Sequence, residues 1–150
     1  MLIALALFGH VKSSSPPAVI LPSAPAFTER EAEIKVGTTT LRVALAQTPA
    51  VREQGLSGRA ALPEGKGMLF FFDRPDRMRF WMPDMHFAID MVWIASDWKI
   101  VDISENATPE SYPRMFEPKE PAQYVLEVPS GYAKKQGWRI GTLVTYPVSH

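Results

Sequence analysis

Ile89-Asp90-Met91-Val92-Trp93-Ile94-Ala95, then Ser96-Asp97, then Trp98-Lys99-Ile100-Val101-Asp102-Ile103 is the stretch on which the fold turns. The first run is rich in β-branched and aromatic residues and is too short for a core helix, so it reads as a strand. Ser96-Asp97 is turn chemistry, and the second run follows at once. The pair therefore predicts an antiparallel hairpin. The first strand is apolar at both alternating positions, the pattern of a strand covered on both faces. Asp90 breaks that pattern and is expected to be buried. A buried carboxylate needs a partner, either a cation such as Arg59 or Arg79 or the backbone amides at a strand end.

Working outward, Met68-Leu69-Phe70-Phe71-Phe72 is a second continuous apolar run, bounded upstream by the turn Pro63 to Gly67. Upstream, Ile34 and Val36 alternate up to Gly37-Thr38, and Leu41, Val43 and Leu45 alternate after it. That is a second hairpin. Thr48-Pro49 pairs a capping residue with a proline suited to the first helical position, so a short helix is predicted from Pro49 to Gln54, stopped by Gly55 and Gly58. Downstream of Phe72, Arg77 to Met82 reads as a strand ended by Pro83. Asn106 to Pro121 carries four prolines and reads as a long loop. Gln123 to Val128 is a strand, Ser130 is placed to cap a short helix ending at Gly137, and Arg139 to Tyr146 reads as the last strand. The expected fold is mainly β (α+β), a small barrel or sandwich of about seven short strands with two short helices in one domain.

That domain is expected to occupy residues 29–150. Residues 1–28 read as a leader and linker. Leu2 to Phe8 is an apolar run of the kind found in a signal-peptide core, too short for a bilayer span of about 20 residues. Pro16, Pro17, Pro22 and Pro25 among Ser and Ala make the following segment an extended linker. The localisation expected from this is periplasmic or secreted, with no transmembrane segment.

Sixteen basic residues balance sixteen acidic ones, and no Lys/Arg cluster stands out, which argues against a nucleic-acid partner. The chain has no cysteine, so a thiolate nucleophile and cysteine-based metal sites are excluded. His86 is the single histidine away from the leader and the C-terminus. A multi-histidine metal site is therefore out of reach, and there is no Gly-rich phosphate loop or G-x-S-x-G elbow. No cofactor and no metal are expected. Glu105-Asn106 and Glu127 form a second polar group in strand contexts. If their strands adjoin the Asp90 strand, the three carboxylates could converge as an acid–base pair or around a hard cation. Phe70, Phe71, Phe72, Phe80, Trp81, Phe87, Trp93 and Trp98, with five methionines among them, make either the core or the wall of a groove beside Trp81.

Several blocks, taken in order, carry a resemblance: Thr48-Pro49 with Arg52-Glu53-Gln54-Gly55-Leu56 and Arg59; Gly67-Met68-Leu69-Phe70; Phe80-Trp81-Met82; Ile89-Asp90-Met91; Glu105-Asn106-Ala107 with Pro109; and Tyr124-Val125-Leu126-Glu127 followed by Gly131 and Gly137. The chain resembles the bacterial and archaeal domain of unknown function 192 over about Ile34 to Val144. The resemblance implies a compact β-rich, often exported domain and supplies no reaction. The family's characteristic polar positions fall on Arg59, Trp81, Asp90, Glu105, Asn106 and Glu127. Two departures stand out: Pro83-Asp84-Met85 replaces the usual Lys-Asn-Thr, and Gly141-Thr142 replaces Gly-Asp.

Together these features predict a non-catalytic extracytoplasmic binding or accessory domain, with a groove near Trp81 and Asp90 for a small molecule, glycan or peptide. One alternative is a carboxylate-dependent hydrolase using Asp90 with Glu105 or Glu127. The other is a structural or interaction module of an envelope assembly.

Overall fold

The computed structural model describes residues 30–146. The leader and linker expected over 1–28 lie outside the described residues. Seven strands form one curled sheet: β1 (Glu31–Val36), β2 (Thr39–Ala46), β3 (Lys66–Asp76), β4 (Ile89–Ile94), β5 (Ile100–Ala107), β6 (Ala122–Pro129) and β7 (Val144–Thr145). Their order across the sheet is β5-β4-β6-β3-β2-β1-β7. Two short helices, α1 (Pro49–Gln54) and α2 (Tyr132–Lys135), complete the domain. No helix among the described residues is long and apolar enough to cross a membrane.

Local chemistry accounts for most of these elements. β1 and β2 are joined through Gly37, whose φ of 57° suits a residue without a side chain. α1 starts where Thr48 Oγ1 accepts a hydrogen bond from Val51 N at 3.3 Å, with proline at the helix entry. The β4–β5 hairpin forms as expected. Its turn places Trp98 at φ 63°, and the cost of that conformation is offset by stacking on Tyr124 at 3.9 Å and on Tyr146 at 5.6 Å. β2 and β3 run parallel, with α1 in the crossover, so the sheet is antiparallel except at this one pair.

Two expected strands come out differently. Residues 77–79 do not continue a ladder. Arg77 and Arg79 are exposed and reach Glu117, and only Phe80 makes a strand-like pairing, with Phe116. At the C-terminal end only Val144–Thr145 pairs with β1. Arg139 to Thr142 instead forms a turn, in which Arg139 N donates to Thr142 Oγ1.

The two edges of the sheet meet at one end. Leu143 pairs with Lys99, Ile100 N donates to Thr142 O, and Gly37 N donates to Leu143 O. The curl gives the sheet an inside and an outside, each with its own apolar core. The inner core takes residues from all seven strands, including Val43, Leu69, Val92, Ile100, Leu126 and Val144, and it is closed by Tyr132 and Trp138. The outer core contains Met68, Phe70, Met91, Trp93 and Val125, covered by Leu56, Met82 and Met85 from the segments around α1 and residues 80–87.

Candidate functional site

Alternation along β6 decides which side chains share a face. Leu126 and Val128 point into the inner core, so Val125 and Glu127 point to the outer face. Glu127 sits opposite Met68 on β3 and Met91 on β4. Gly67 lets β3 lie close there, because a Cβ at that position would stand 2.7 Å from Glu127 O.

Glu127 is 5% exposed, and its Oε2 has no hydrogen-bond partner among the described residues. Burial pushes its pKa up to about 8, while the nearby Arg59 guanidinium pulls the other way. The protonated carboxyl, which donates as well as accepts, is thereby favoured over the carboxylate.

Above Glu127 lies a cavity of about 260 Å³. Phe70, Phe72 and Phe80 form one apolar wall, and Leu56, Met82 and Met85 form another. Phe80 meets Phe70 edge-on at 5.2 Å and Trp93 at 5.5 Å, which holds its ring in place. Arg52, Glu53, Arg79 and Trp81 also line it. The wall from α1 is tied to the Met82–Met85 segment, since Ser57 Oγ donates to Pro83 O at 2.9 Å and Gly58 N donates to Asp84 O at 2.9 Å. Trp81 is 50% exposed and leans on Tyr112 at 5.5 Å. Arg52 Nη1 donates to Gln47 O at 3.1 Å and Phe71 O at 2.9 Å, with its guanidinium 5.3 Å from the Phe72 ring centre.

Asp90 belongs to a different centre, on the opposite face. Along β4, Val92 and Ile94 face the inner core with Asp90, whereas Met91 and Trp93 face outward. The β4–β5 register runs Ile89↔Ala107 and then Met91↔Ser104, so Glu105 and Asn106 together oppose Asp90. That is a β-bulge, with Asn106 at φ 52°. The bulge aims Asn106 N at Asp90 Oδ1, 2.9 Å away, and Ala133 N in the first turn of α2 donates to Oδ2 at 3.2 Å. Asp90 is fully buried and supplies the helix cap that Gly131 cannot. Ser130, expected as the cap, instead donates its hydroxyl to Asn106 Oδ1 at 2.9 Å.

Asp90 is thus buried as expected, but backbone amides hold it in place of an arginine. Arg79 pairs with Glu117, and Arg59 acts on Glu127. Trp81 and Glu127 line the cavity with Arg59 close enough to Glu127 to act on its charge, Asp90 and Asn106 gather around the bulge, and Glu105 is exposed. The convergence of Asp90, Glu105 and Glu127 does not occur, because Asp90 and Glu127 lie on opposite sides of the sheet. Among the described residues no three acidic or histidine side chains are grouped to hold a metal. Sequence reasoning did not single out Arg52 and Ser57 as pocket residues. The available signal was that Arg52 opens the Arg52–Leu56 block of the resemblance.

No curated protein matches the chain. It is similar to a Sinorhizobium meliloti protein, solved and provisionally described as a transcription regulator, at 34% identity and a TM-score of 0.74 over 79% of this chain and 95% of that one. It is also similar to a protein of unknown function from Novosphingobium aromaticivorans, at 28% identity and a TM-score of 0.76 over 81% and 89% of the two chains. The model of DUF192, described as an uncharacterised ACR, matches residues 32–146, and the chain belongs to that family.

Proposed function

We propose that this protein is a non-catalytic binding domain whose pocket, floored by Glu127 and edged by Trp81 and Arg52, takes a small molecule with an apolar body. One observation carries the reading: Glu127, a buried carboxyl group with one oxygen lacking a hydrogen-bond partner among the described residues, lines a cavity built from apolar side chains such as Phe70, Phe80 and Met82 together with Arg52, Glu53 and Arg79. Buried polar groups are normally satisfied, and a pocket with an apolar wall and a few convergent polar groups is the usual form of a ligand site. A volume of about 260 Å³ favours a compact ligand over an extended glycan or peptide.

An extracytoplasmic location is part of this proposal. It is supported by the apolar run Leu2 to Phe8 and the Pro/Ser-rich stretch that follows. The description of the Sinorhizobium protein would, if carried over, require a basic face, and the balanced charge of this chain speaks against it.

The test is a thermal-shift and NMR titration panel of small apolar acids, amides, amines and sugars on the full chain. Saturable stabilisation by one class, reduced by Trp81→Ala and by Glu127→Leu, is the expected outcome. A panel that leaves the melting temperature and the pocket resonances unmoved would overturn the reading.

The perturbed Glu127 also favours a second reading, in which it acts as a lone general acid. The paired-carboxylate hydrolase has no such support: both Asp90 oxygens already accept backbone amides, Glu127 lies on the opposite face of the sheet, and Glu105 is exposed. Turnover of chromogenic esters or glycosides that vanishes in Glu127→Gln would select the enzyme.

A further inference from the structure

We infer that the ligand of this pocket is a small carboxylic acid, bound as the anion with its carboxylate at Arg52 and its apolar body along Phe70, Phe72 and Met82. This rests on the binding reading above and deepens it to a ligand class.

Arg52 and Arg79 line the cavity, as do Glu53 and Glu127. Glu117 offsets Arg79, and burial disfavours the charged form of Glu127. Arg52 makes no ion pair among the described residues, which leaves its guanidinium as the lining cation open to an anionic ligand.

Arg52 commits only Nη1 to main-chain carbonyls, and those two bonds with the Phe72 ring hold the guanidinium still. Its Nε and Nη2 make no hydrogen bond among the described residues. A planar fork fixed in this way is suited to a carboxylate, and ordering the side chain on binding costs little.

The experiment is calorimetric and NMR titration of the full chain near pH 6.5 with three isosteres: benzoate, benzamide and benzylamine. Benzoate should bind at least about tenfold more tightly than the other two, the margin of one charge-assisted contact. Arg52→Gln should remove that margin and leave benzamide unchanged. Arg79→Gln, at a well-exposed position, should weaken benzoate by about two- to threefold. Benzoate binding should also decline as pH rises through 8, because an ionising Glu127 repels the anion, and Glu127→Gln should abolish that decline. Circular dichroism of each variant separates lost binding from lost folding.

If benzamide or benzylamine binds as tightly as benzoate, or Arg52→Gln in a folded protein leaves benzoate unaffected, the acid inference fails while the binding reading stands. If none of the three saturates while another class in the broader panel does, the inference again fails alone. If nothing in either set saturates, both fail.

Discussion

Asp90 and Glu127 are both buried carboxylates on adjacent strands, and their surroundings give them opposite roles. Asp90 accepts two backbone amides and is satisfied, so its contribution is structural. Asp90→Ala should lower the unfolding free energy by about 3 kcal/mol, because two buried amides lose their acceptor. Asp90→Asn should not restore it fully, since its NH2 group turns a donor toward a donor. Urea denaturation of the three proteins measures both effects. Glu127 has no such amides, and burial raises its pKa from 4.5 to about 8. The folded state therefore holds this proton between those values while the unfolded chain has released it. Its contribution to stability is full below pH 4.5 and is lost as pH rises to about 8, an effect of a few kcal/mol. Glu127→Gln should flatten that part of the stability–pH curve. A slope unchanged in the variant would show that Glu127 is not its source. That Asp90 would be buried was legible from the apolar run around it. What would neutralise it was not, because the amide donors come from residues 16 and 43 positions away.

Elements bring these side chains to their places. The Glu105-Asn106 bulge re-aims one amide at Asp90, and the left-handed conformation of Asn106 suits that residue type better than most. The block Glu105-Asn106-Ala107, which read as a polar cluster in sequence, is thus a backbone device. Gly67 does the same for the pocket floor, by letting β3 lie against Glu127. Gly67→Ala places a methyl group 2.7 Å from a backbone oxygen that cannot yield cheaply. It should cost about 1–3 kcal/mol and weaken ligand binding, read by melting temperature and by titration. The missing strand at 77–82 has an equally local cause. Its alternating residues are Arg77 and Arg79, which stay in water beside Glu117, while Phe80 turns inward onto Phe70 and Trp93. Period-two alternation was present there without a neighbouring strand to receive it.

At the scale of the molecule, the curled sheet carries two cores with different duties. The inner core draws on every strand, so a cavity within it should be felt globally. Leu126→Ala is expected to cost about 3–5 kcal/mol and to speed amide exchange throughout the sheet. The outer core is capped by α1 and the 80–87 segment, with few backbone bonds between them. Met85→Ala should therefore cost less, about 2 kcal/mol, and speed exchange mainly in those covering segments while weakening ligand binding. Uniform exchange in both variants would show that the two cores open as one unit. The sequence alone determined most of the element types, since strand alternation, the Thr48-Pro49 helix start and the glycine turns depend on neighbours a few residues apart; the strands expected at 77–82 and 139–143 did not form. It also determined that Asp90 and the aromatic segment matter, because apolar context is local. Which polar residues meet was decided only by tertiary structure. A single residue's difference in phase between β4 and β6 puts Asp90 inside the curl and Glu127 outside it, and nothing in a linear pattern specifies the register between strands so far apart in the chain.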